Sequence, residues 1–140
     1  MGSHHCFVCG DKNPKGLHVH FEQGEGGAVH ATYQCDPTHQ GWPGIQHGGI
    51  TSALLDEACA YVTYFQGLTC MTGQLTVQFH APIHVGETLE IRARPVRVTR
   101  RLMDVEAEIV SRSGERKASA QAKMVVLTAR QQAQAGLSDP

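Results

Sequence analysis

Residues 45–58 read Ile45-Gln46-His47-Gly48-Gly49-Ile50-Thr51-Ser52-Ala53-Leu54-Leu55-Asp56-Glu57-Ala58 and contain the strongest helical pattern in the chain. Apolar side chains recur at intervals of three and four through this stretch and beyond it, at Ile50, Leu54, Ala58, Tyr61, Val62 and Phe65. These intervals place them on one face of a helix of about four turns. Gly67 can adopt the left-handed conformation that ends a helix. The sequence therefore predicts a core helix that ends near Gln66 and Gly67.

Two glycines and one carboxylate of this helix indicate chemistry as well as packing. Gly48 and Gly49 lie where the first N–H groups of a helix lack intrahelical partners, so an oxygen that gains negative charge can approach the bare backbone. Asp56 lies two turns later, beside the apolar stripe, as expected of a carboxylate at the edge of a pocket. The helix pattern alone leaves open the alternative that Asp56 is a solvated acid.

The spacing of these residues predicts how a site would be assembled. Gly48 and Asp56 are eight residues apart, which is about 12 Å along a helix axis. A hydrogen-bond donor and a base must both come within about 3 Å of one reacting group. One helix cannot supply both to the same carbonyl. If both residues are catalytic, a twofold dimer would bring Gly48 of one subunit to Asp56 of the other.

Composition restricts the class of protein. The chain has 140 residues, a formal net charge of −1 and 6% aromatic residues. This length predicts one domain, and the low aromatic content makes oligomerisation a reasonable way to bury more surface. The lack of a basic run argues against a nucleic-acid partner. No apolar run reaches about 18 residues and no signal-peptide pattern opens the sequence, so a cytoplasmic protein without a membrane partner is expected.

The segment Cys6-Phe7-Val8-Cys9-Gly10 could present two thiolates to one zinc ion. It is half of a tetrahedral site, and it would need completion by a symmetry mate or by a histidine, such as His4, His5, His18, His20 or His39. Two buried thiols are the alternative, and we assign no metal ligands and no cofactor. Cys35, Cys59 and Cys70 are predicted to be reduced thiols. Whether His4 and His5 are native or remain from a tag is not decided by the sequence.

Alternating apolar residues predict strands on both sides of the helix. Residues 17–21 and 29–33 flank a glycine-rich turn and predict a hairpin whose histidines face solvent. After the helix, period-two patterns predict strands at 71–79, 88–98, 102–110 and 118–127, joined by hairpins, with Pro95 marking a bulge or an edge. Residues 128–140 are polar and predict a frayed tail. An α+β fold follows, with a curved antiparallel sheet wrapped around the single long helix that can cover its apolar face.

The loop from Cys35 to Gln46 is rich in proline and glycine and leads into the helix, a common position for residues that line a site. Trp42, the only tryptophan, either packs at the mouth of a pocket or anchors the core. His47 is a candidate acid or base, or a structural residue at the start of the helix, and we favour the structural role.

The order of these elements, and the run His47-Gly48-Gly49 with Asp56 nine residues after His47, resemble the hotdog-fold acyl-CoA thioesterases of the PaaI-like family. The resemblance also includes residues 44–49, 71–75 and 79–82. It covers residues 16–127 as a hotdog thioesterase domain, leaving residues 1–15 as an N-terminal segment and residues 128–140 as a polar C-terminal tail. It implies dimers or tetramers whose active sites are shared between subunits.

The resemblance also implies roles for individual residues. Gly48 would polarise the thioester carbonyl through its backbone N–H, Asp56 would be the nucleophile or the general base, and Thr72 would orient the water or the carboxylate. His47 completes the set of candidate catalytic residues. The candidate substrate-binding residues are Gly49, Gln40, Gly41, Trp42 and Glu57. Many relatives have an asparagine where this loop has Gly41, and Glu57 could compete with Asp56.

The implied activity is hydrolysis of an acyl-CoA thioester to a free acid and CoA. One alternative is a non-catalytic acyl-CoA-binding hotdog domain. Another is a hydratase or dehydratase of the same fold, which would need an Asp/His pair in one pocket. A zinc enzyme is the least favoured because three converging ligands are not found in the sequence. The acyl group is not specified by the sequence.

Overall fold

The computed structural model describes residues 3–137. Residues 1–2 of the predicted N-terminal segment and residues 138–140 of the predicted tail lie outside the described residues. The long helix, α1, spans Gly48–Phe65. Gln66 caps its C-terminus, and Gly67 follows with a φ of 74°. The predicted core helix and its end are therefore confirmed.

Six strands form one antiparallel sheet. Their bounds are β1 Glu22–Gln23, β2 Val29–Gln34, β3 Cys70–Phe79, β4 Thr88–Val98, β5 Leu102–Ser111 and β6 Arg116–Val126. They lie side by side in the order β1-β2-β4-β5-β6-β3. The helix α1 packs against every strand from β2 to β6, on the face that carries the buried alternating side chains. The predicted α+β hotdog architecture is confirmed.

The core lies between α1 and the sheet. The side chains of Leu54, Ala58 and Val62 on α1 are fully buried. Opposite them, inward residues of the three central strands are buried at every second position: Leu89, Ile91, Ala93, Met103, Val105, Ala107, Ile109, Ala118, Ala120, Ala122 and Met124. Alternation of this kind sends each intervening polar residue to the outer face. A bulge between Pro95 and Arg97 confirms the interpretation of the strand proline.

The pairing of β3 differs from the sequence prediction. Consecutive hairpins were expected after the helix, but β3 pairs with β6 and not with β4. It therefore lies at an edge of the sheet, and no described strand pairs with its other side. The opposite edge is occupied by β1, which has only two residues. The sheet thus has one short edge and one long, open edge.

Two terminal segments also differ from their predictions. The predicted strand at 17–21 is wrong: its side chains do alternate between exposed and buried, but His18 has a φ of 53°, which an extended strand does not accommodate. Its backbone binds the N-terminal segment instead: the N–H groups of Leu17 and Val19 donate to the carbonyl groups of Phe7 and Val8. The predicted frayed tail is wrong for its first part, because a short helix, α2, spans Ala129–Gln134 behind a capping box at Thr128.

Neither helix in the described part of the chain has the length and apolar character that a membrane span requires.

Candidate active site

The first turn of α1 has one backbone donor without a partner. The imidazole Nδ1 of His47 accepts the N–H of Gly49 at 2.8 Å, and the carbonyl of His47 accepts the N–H groups of Ile50 and Thr51 at 3.0 and 3.2 Å. Within residues 3–137, no acceptor is found for the N–H of Gly48. Gly48 therefore presents the free donor at the positive end of the helix, whereas Gly49 is occupied by the cap.

His47 is the N-cap residue of α1. A Cβ at Gly49 would lie 2.9 Å from Nδ1 of His47, so glycine at that position allows the cap to form. This geometry supplies a structural role for His47, which is the role favoured from the sequence. Its inclusion among the catalytic candidates stays a prediction.

A cavity of about 360 Å³ lies directly beside Gly48. The ring of Phe79, at the end of β3, forms one wall, and a Cβ placed on Gly48 would lie 3.4 Å from that ring. The other walls come from the end of the loop before α1, from Thr51, and from residues 80–83 and Lys117. A ligand in this cavity can therefore reach the free N–H of Gly48.

Gln46 lines the same cavity and was not predicted as a site residue. Its side chain is buried, and Nε2 donates to Oγ1 of Thr51 at 2.8 Å. No described group donates to its Oε1, which is the one buried side-chain polar atom in residues 3–137 without a partner. A buried acceptor in this state normally binds water or a ligand. In the sequence, a glutamine next to the N-cap residue gives no indication that it binds a ligand.

Asp56 and Thr72 form the second polar group of the site. Oγ1 of Thr72 donates to Oδ1 of Asp56 at 2.6 Å, which joins the middle of α1 to the start of β3. Asp56 is half-buried and Thr72 is exposed. This hydrogen bond holds the carboxylate in one orientation and leaves Oδ2 available to a water or a substrate.

The two polar groups are separated within one chain. Neither Asp56 nor Thr72 lines the cavity beside Gly48, in agreement with the spacing of about 12 Å along the helix. The ends of β3 show the same separation, since Thr72 donates to Asp56 near one end and Phe79 lines the cavity beside Gly48 at the other.

The loop residues predicted to bind substrate are placed as follows. Both polar atoms of the Gln40 side chain are used within the loop, with Nε2 donating to the carbonyl of Pro37 and Oε1 accepting the N–H of Gly44. A Cβ on Gly41 would lie 3.1 Å from the backbone of His47, so glycine permits close approach there. Trp42 is 79% exposed. The alternative that it anchors the core is wrong.

Glu57 faces away from Asp56 and towards the N-terminal segment. The thiols of Cys6 and Cys9 donate to its Oε2 and Oε1, at 3.6 and 3.5 Å. Burial raises the pKa of Glu57 above its usual range, and the two thiol hydrogen bonds oppose that effect. The structure thus gives Glu57 two neighbours, Cys6 and Cys9, that the sequence did not predict.

A larger cavity, of about 810 Å³, lies on the outer face of the sheet. It contains none of the predicted site residues. Its charged side chains are largely paired with one another, Arg94 with Glu106 and both Arg92 and Arg116 with Glu108. The larger cavity therefore lies apart from the candidate site residues.

Comparison with known proteins identifies the family. The sequence model of the thioesterase superfamily matches residues 43–118, a range that includes α1, the cavity, Asp56 and Thr72. No curated protein matches the chain at a significant level.

Many solved structures share the fold. One of them, a thioesterase superfamily protein, is 28% identical to this chain, with a TM-score of 0.83. The match covers 87% of this chain and 63% of the length of that protein. The E. coli PaaI protein from the phenylacetic acid degradation operon is 23% identical, with a TM-score of 0.76 and coverage of 80% and 81% of the two chains. A hypothetical thioesterase from Streptococcus pneumoniae, solved with coenzyme A, is 22% identical, with a TM-score of 0.74 and coverage of 78% and 85%. Further structures of that protein carry an alanine in place of an aspartate, or of a threonine sixteen positions later.

Proposed function

The chain belongs to the thioesterase superfamily, and on this premise we propose that it hydrolyses an acyl-CoA thioester to a free acid and CoA. The observation that carries the proposal is the free N–H of Gly48, which lies at the N-terminus of α1 and beside a cavity. Negative charge develops on the carbonyl oxygen when a nucleophile adds to a thioester. A donor fixed at the positive end of a helix stabilises that charge before any solvent must reorganise.

Asp56 supplies the second function in this mechanism. Its carboxylate either removes a proton from the attacking water or attacks the carbonyl carbon itself. Thr72 donates to one carboxylate oxygen and so orients the other. The spacing of Asp56 and Thr72 is sixteen residues, the same as that between the aspartate and the threonine replaced in the S. pneumoniae protein.

We propose further that the active unit is a dimer formed through β3. This strand has ten residues, none of them charged, and one side of it is open. Met71 and Phe79 are 49% and 60% exposed. An open, uncharged, partly apolar edge favours pairing with another strand, since proteins usually protect such edges with charges, proline or a short length. The opposite edge, β1, has only two residues and is too short to pair stably with another strand.

The contacts of β3 also indicate how the two copies would align. Thr72 donates to Asp56, and Phe79 lines the cavity beside Gly48. If two β3 strands pair antiparallel about an axis near Leu75 and Thr76, Thr72 of one subunit lies alongside the partner's Phe79. That alignment brings Asp56 of one subunit to the cavity of the other, and each dimer has two equivalent sites.

The activity is tested by thiol release from a panel of short-chain, long-chain and aromatic acyl-CoAs. The matched variant is Asp56→Asn, because asparagine keeps an oxygen that can accept the Thr72 hydroxyl and removes only the charge. We expect the wild type to release CoA thiol and the variant to lose at least about 100-fold in kcat. CoA binding without release from any substrate would contradict the proposal and support the non-catalytic binding module.

The shared site is tested by mixing Asp56→Asn with Gly48→Pro, which lacks the Gly48 N–H. Neither homodimer has a complete site, whereas each mixed dimer has one. After subunit exchange, about a quarter of the wild-type activity per site should return, because half the dimers are mixed and half their sites are intact. No recovery, despite exchange verified by mass spectrometry, would contradict a site shared between subunits.

The hydratase alternative is not favoured by the contacts. It needs an Asp/His pair in one pocket, but Asp56 binds Thr72 and the Nδ1 of His47 binds Gly49. Adding an enoyl-CoA to the substrate panel, and measuring loss of its conjugated absorbance, tests this alternative directly.

A further inference from the structure

The N-terminal segment and α1 together form a cluster that the thioesterase reaction does not use. Sγ of Cys6, Sγ of Cys9 and the carboxylate of Glu57 all lie within 4.8 Å of one another. Each sulfur faces one carboxylate oxygen, at 3.6 and 3.5 Å. The sequence supplied the two cysteines but not the third member, which lies 48 residues beyond Cys9.

We propose that Cys6, Cys9 and Glu57 bind one zinc ion, which fastens the N-terminal segment to α1. The proposal is independent of the thioesterase activity. The fourth coordination position would be taken by water, because the cluster provides three protein ligands.

The geometry of the cluster suits a tetrahedral ion. With Zn–S near 2.3 Å and Zn–O near 2.1 Å, tetrahedral angles hold sulfur and oxygen about 3.6 Å apart. The observed contacts have this length but reach two different oxygens of the carboxylate, Oε2 from Cys6 at 3.6 Å and Oε1 from Cys9 at 3.5 Å. The ligand atoms lie within 4.8 Å of one another, so a small rotation of the carboxylate would bring one oxygen to both sulfurs. Two thiolates and one carboxylate are also a donor set that zinc accepts, whereas magnesium and calcium bind oxygen ligands.

The backbone around the cysteines is shaped as a turn that brings both sulfurs to one side. The N–H of Cys9 donates to Sγ of Cys6 at 3.5 Å, and the N–H of Gly10 donates to the carbonyl of Cys6 at 2.9 Å. A Cβ on Gly10 would lie 2.4 Å from the backbone nitrogen of Cys6. The turn therefore requires glycine at this position, and it holds the two sulfurs in place before any ion binds.

Charge also favours a cation in this position. Glu57 is 8% exposed, and no lysine, arginine or histidine in residues 3–137 forms an ion pair with it. A buried carboxylate without a counter-ion is costly. A divalent cation would supply the missing charge.

Three of the five histidines that could have completed the site have other partners. His4 binds Asp11 at 2.8 Å, His18 binds the carbonyl of Asn13 at 2.7 Å, and His39 binds the hydroxyl of Tyr33 at 2.6 Å. Neither His5 nor His20 belongs to the cluster. Glu57 is therefore the third ligand that the described residues offer.

Binding must displace protons, and this gives the proposal a measurable stoichiometry. A free cysteine thiol has a pKa of about 8.5 and is mostly protonated at neutral pH, whereas zinc binds the thiolate. An entering ion replaces the protons of Cys6 and Cys9, which pass to solvent, together with that of Glu57 where it is protonated. Affinity should accordingly rise with pH, with at least two protons released per ion.

The first test measures metal in the wild-type full chain, purified without an added histidine tag and with reductant. One zinc per chain is expected by elemental analysis. After removal of zinc with a chelator, titration with Co²⁺ should produce the near-ultraviolet charge-transfer absorption of a thiolate–cobalt bond and saturate at one ion per chain. No bound zinc and no such absorption would overturn the proposal, as would a Cys6–Cys9 disulfide as the stable state under reductant.

Variants assign the ligands. Glu57→Gln and Cys9→Ser should each weaken Co²⁺ binding by more than about 100-fold, since changing even an outer partner of a metal costs 10- to 100-fold. Cys70→Ser, outside the cluster, is the matched control and should bind as the wild type does. Equal binding by Glu57→Gln and the wild type would overturn the assignment of Glu57. The cobalt titration of the wild type decides the proposal even if one variant fails to fold.

Discussion

Replacing Gly48 by proline removes the proposed oxyanion donor with little change to the backbone. Gly48 is the first residue of α1, the helical position where proline is most readily accepted because the N–H has no intrahelical partner. The preceding residue, His47, has φ −61° and ψ 133°, which is the extended conformation that proline requires before it. The new Cβ would lie 3.4 Å from the ring of Phe79, an ordinary van der Waals contact.

The expected magnitudes separate catalysis from folding. Loss of one oxyanion donor typically lowers kcat by about 10²–10³-fold, or about 2.7–4 kcal/mol. A proline that fits its position changes the free energy of unfolding by about 1 kcal/mol or less. Gly48→Pro should therefore lose kcat and keep Tm within a few degrees of the wild-type value.

Thiol release measured over a range of acyl-CoA concentrations gives kcat and KM, and thermal unfolding gives Tm. The control is Gly48→Ala, which adds the same Cβ but keeps the N–H, and it should retain kcat within about tenfold of the wild type. If Gly48→Pro kept more than a tenth of the wild-type kcat, the amide would not be the oxyanion donor. If Gly48→Ala lost as much kcat as the proline variant, space beside Phe79 would explain the result.

Four further changes test other contacts. His47→Ala should lower the free energy of unfolding by about 1 kcal/mol through loss of the N-cap, and His47→Asn, which can also cap the helix, should restore it. A loss of kcat above about 100-fold in both variants would instead assign His47 to catalysis. Thr72→Val should lower kcat by about 10- to 100-fold by removing a hydrogen bond to a charged group, and Thr72→Ser should not. Thr76→Lys should give monomers by size-exclusion chromatography and abolish turnover, because each copy would place a charge near the centre of the paired β3 edges, whereas Thr32→Lys on β2 should leave the dimer intact. Burial would raise the pKa of Glu87, but the backbone N–H of His84 and the Lys117 ammonium outweigh it and lower that pKa. The stability lost in Glu87→Gln should therefore be greatest at neutral pH and vanish as pH falls below the lowered pKa. Denaturant titrations at several pH values that showed a constant difference in the free energy of unfolding would contradict this.

The sequence predicted α1 and the inward faces of the strands because both depend on local periodicity. Apolar residues every three or four positions identify a helix and its buried face, and alternation identifies the inward side of a strand. Gly48 at the helix start follows from the same pattern, as does its distance from Asp56. Residues 17–21 show the limit of this reasoning. Their alternation correctly gives the buried side chains, yet the left-handed backbone at His18 and the contacts with Phe7 and Val8 prevent a strand.

The tertiary structure decided everything that depends on which segments meet. Periodicity gives the face of a strand but not its neighbour, so only the fold shows that β3 pairs with β6 and leaves one edge open. Likewise, Asp56 and Glu57 are neighbours in the sequence, yet one accepts a hydrogen bond from Thr72 and the other from Cys6 and Cys9. Adjacent acids look alike in sequence. The partner of each is contributed by a segment 16 residues away for Asp56 and 48 or more for Glu57. Local sequence determines which way a side chain points, whereas the long-range packing of the core determines what it meets there.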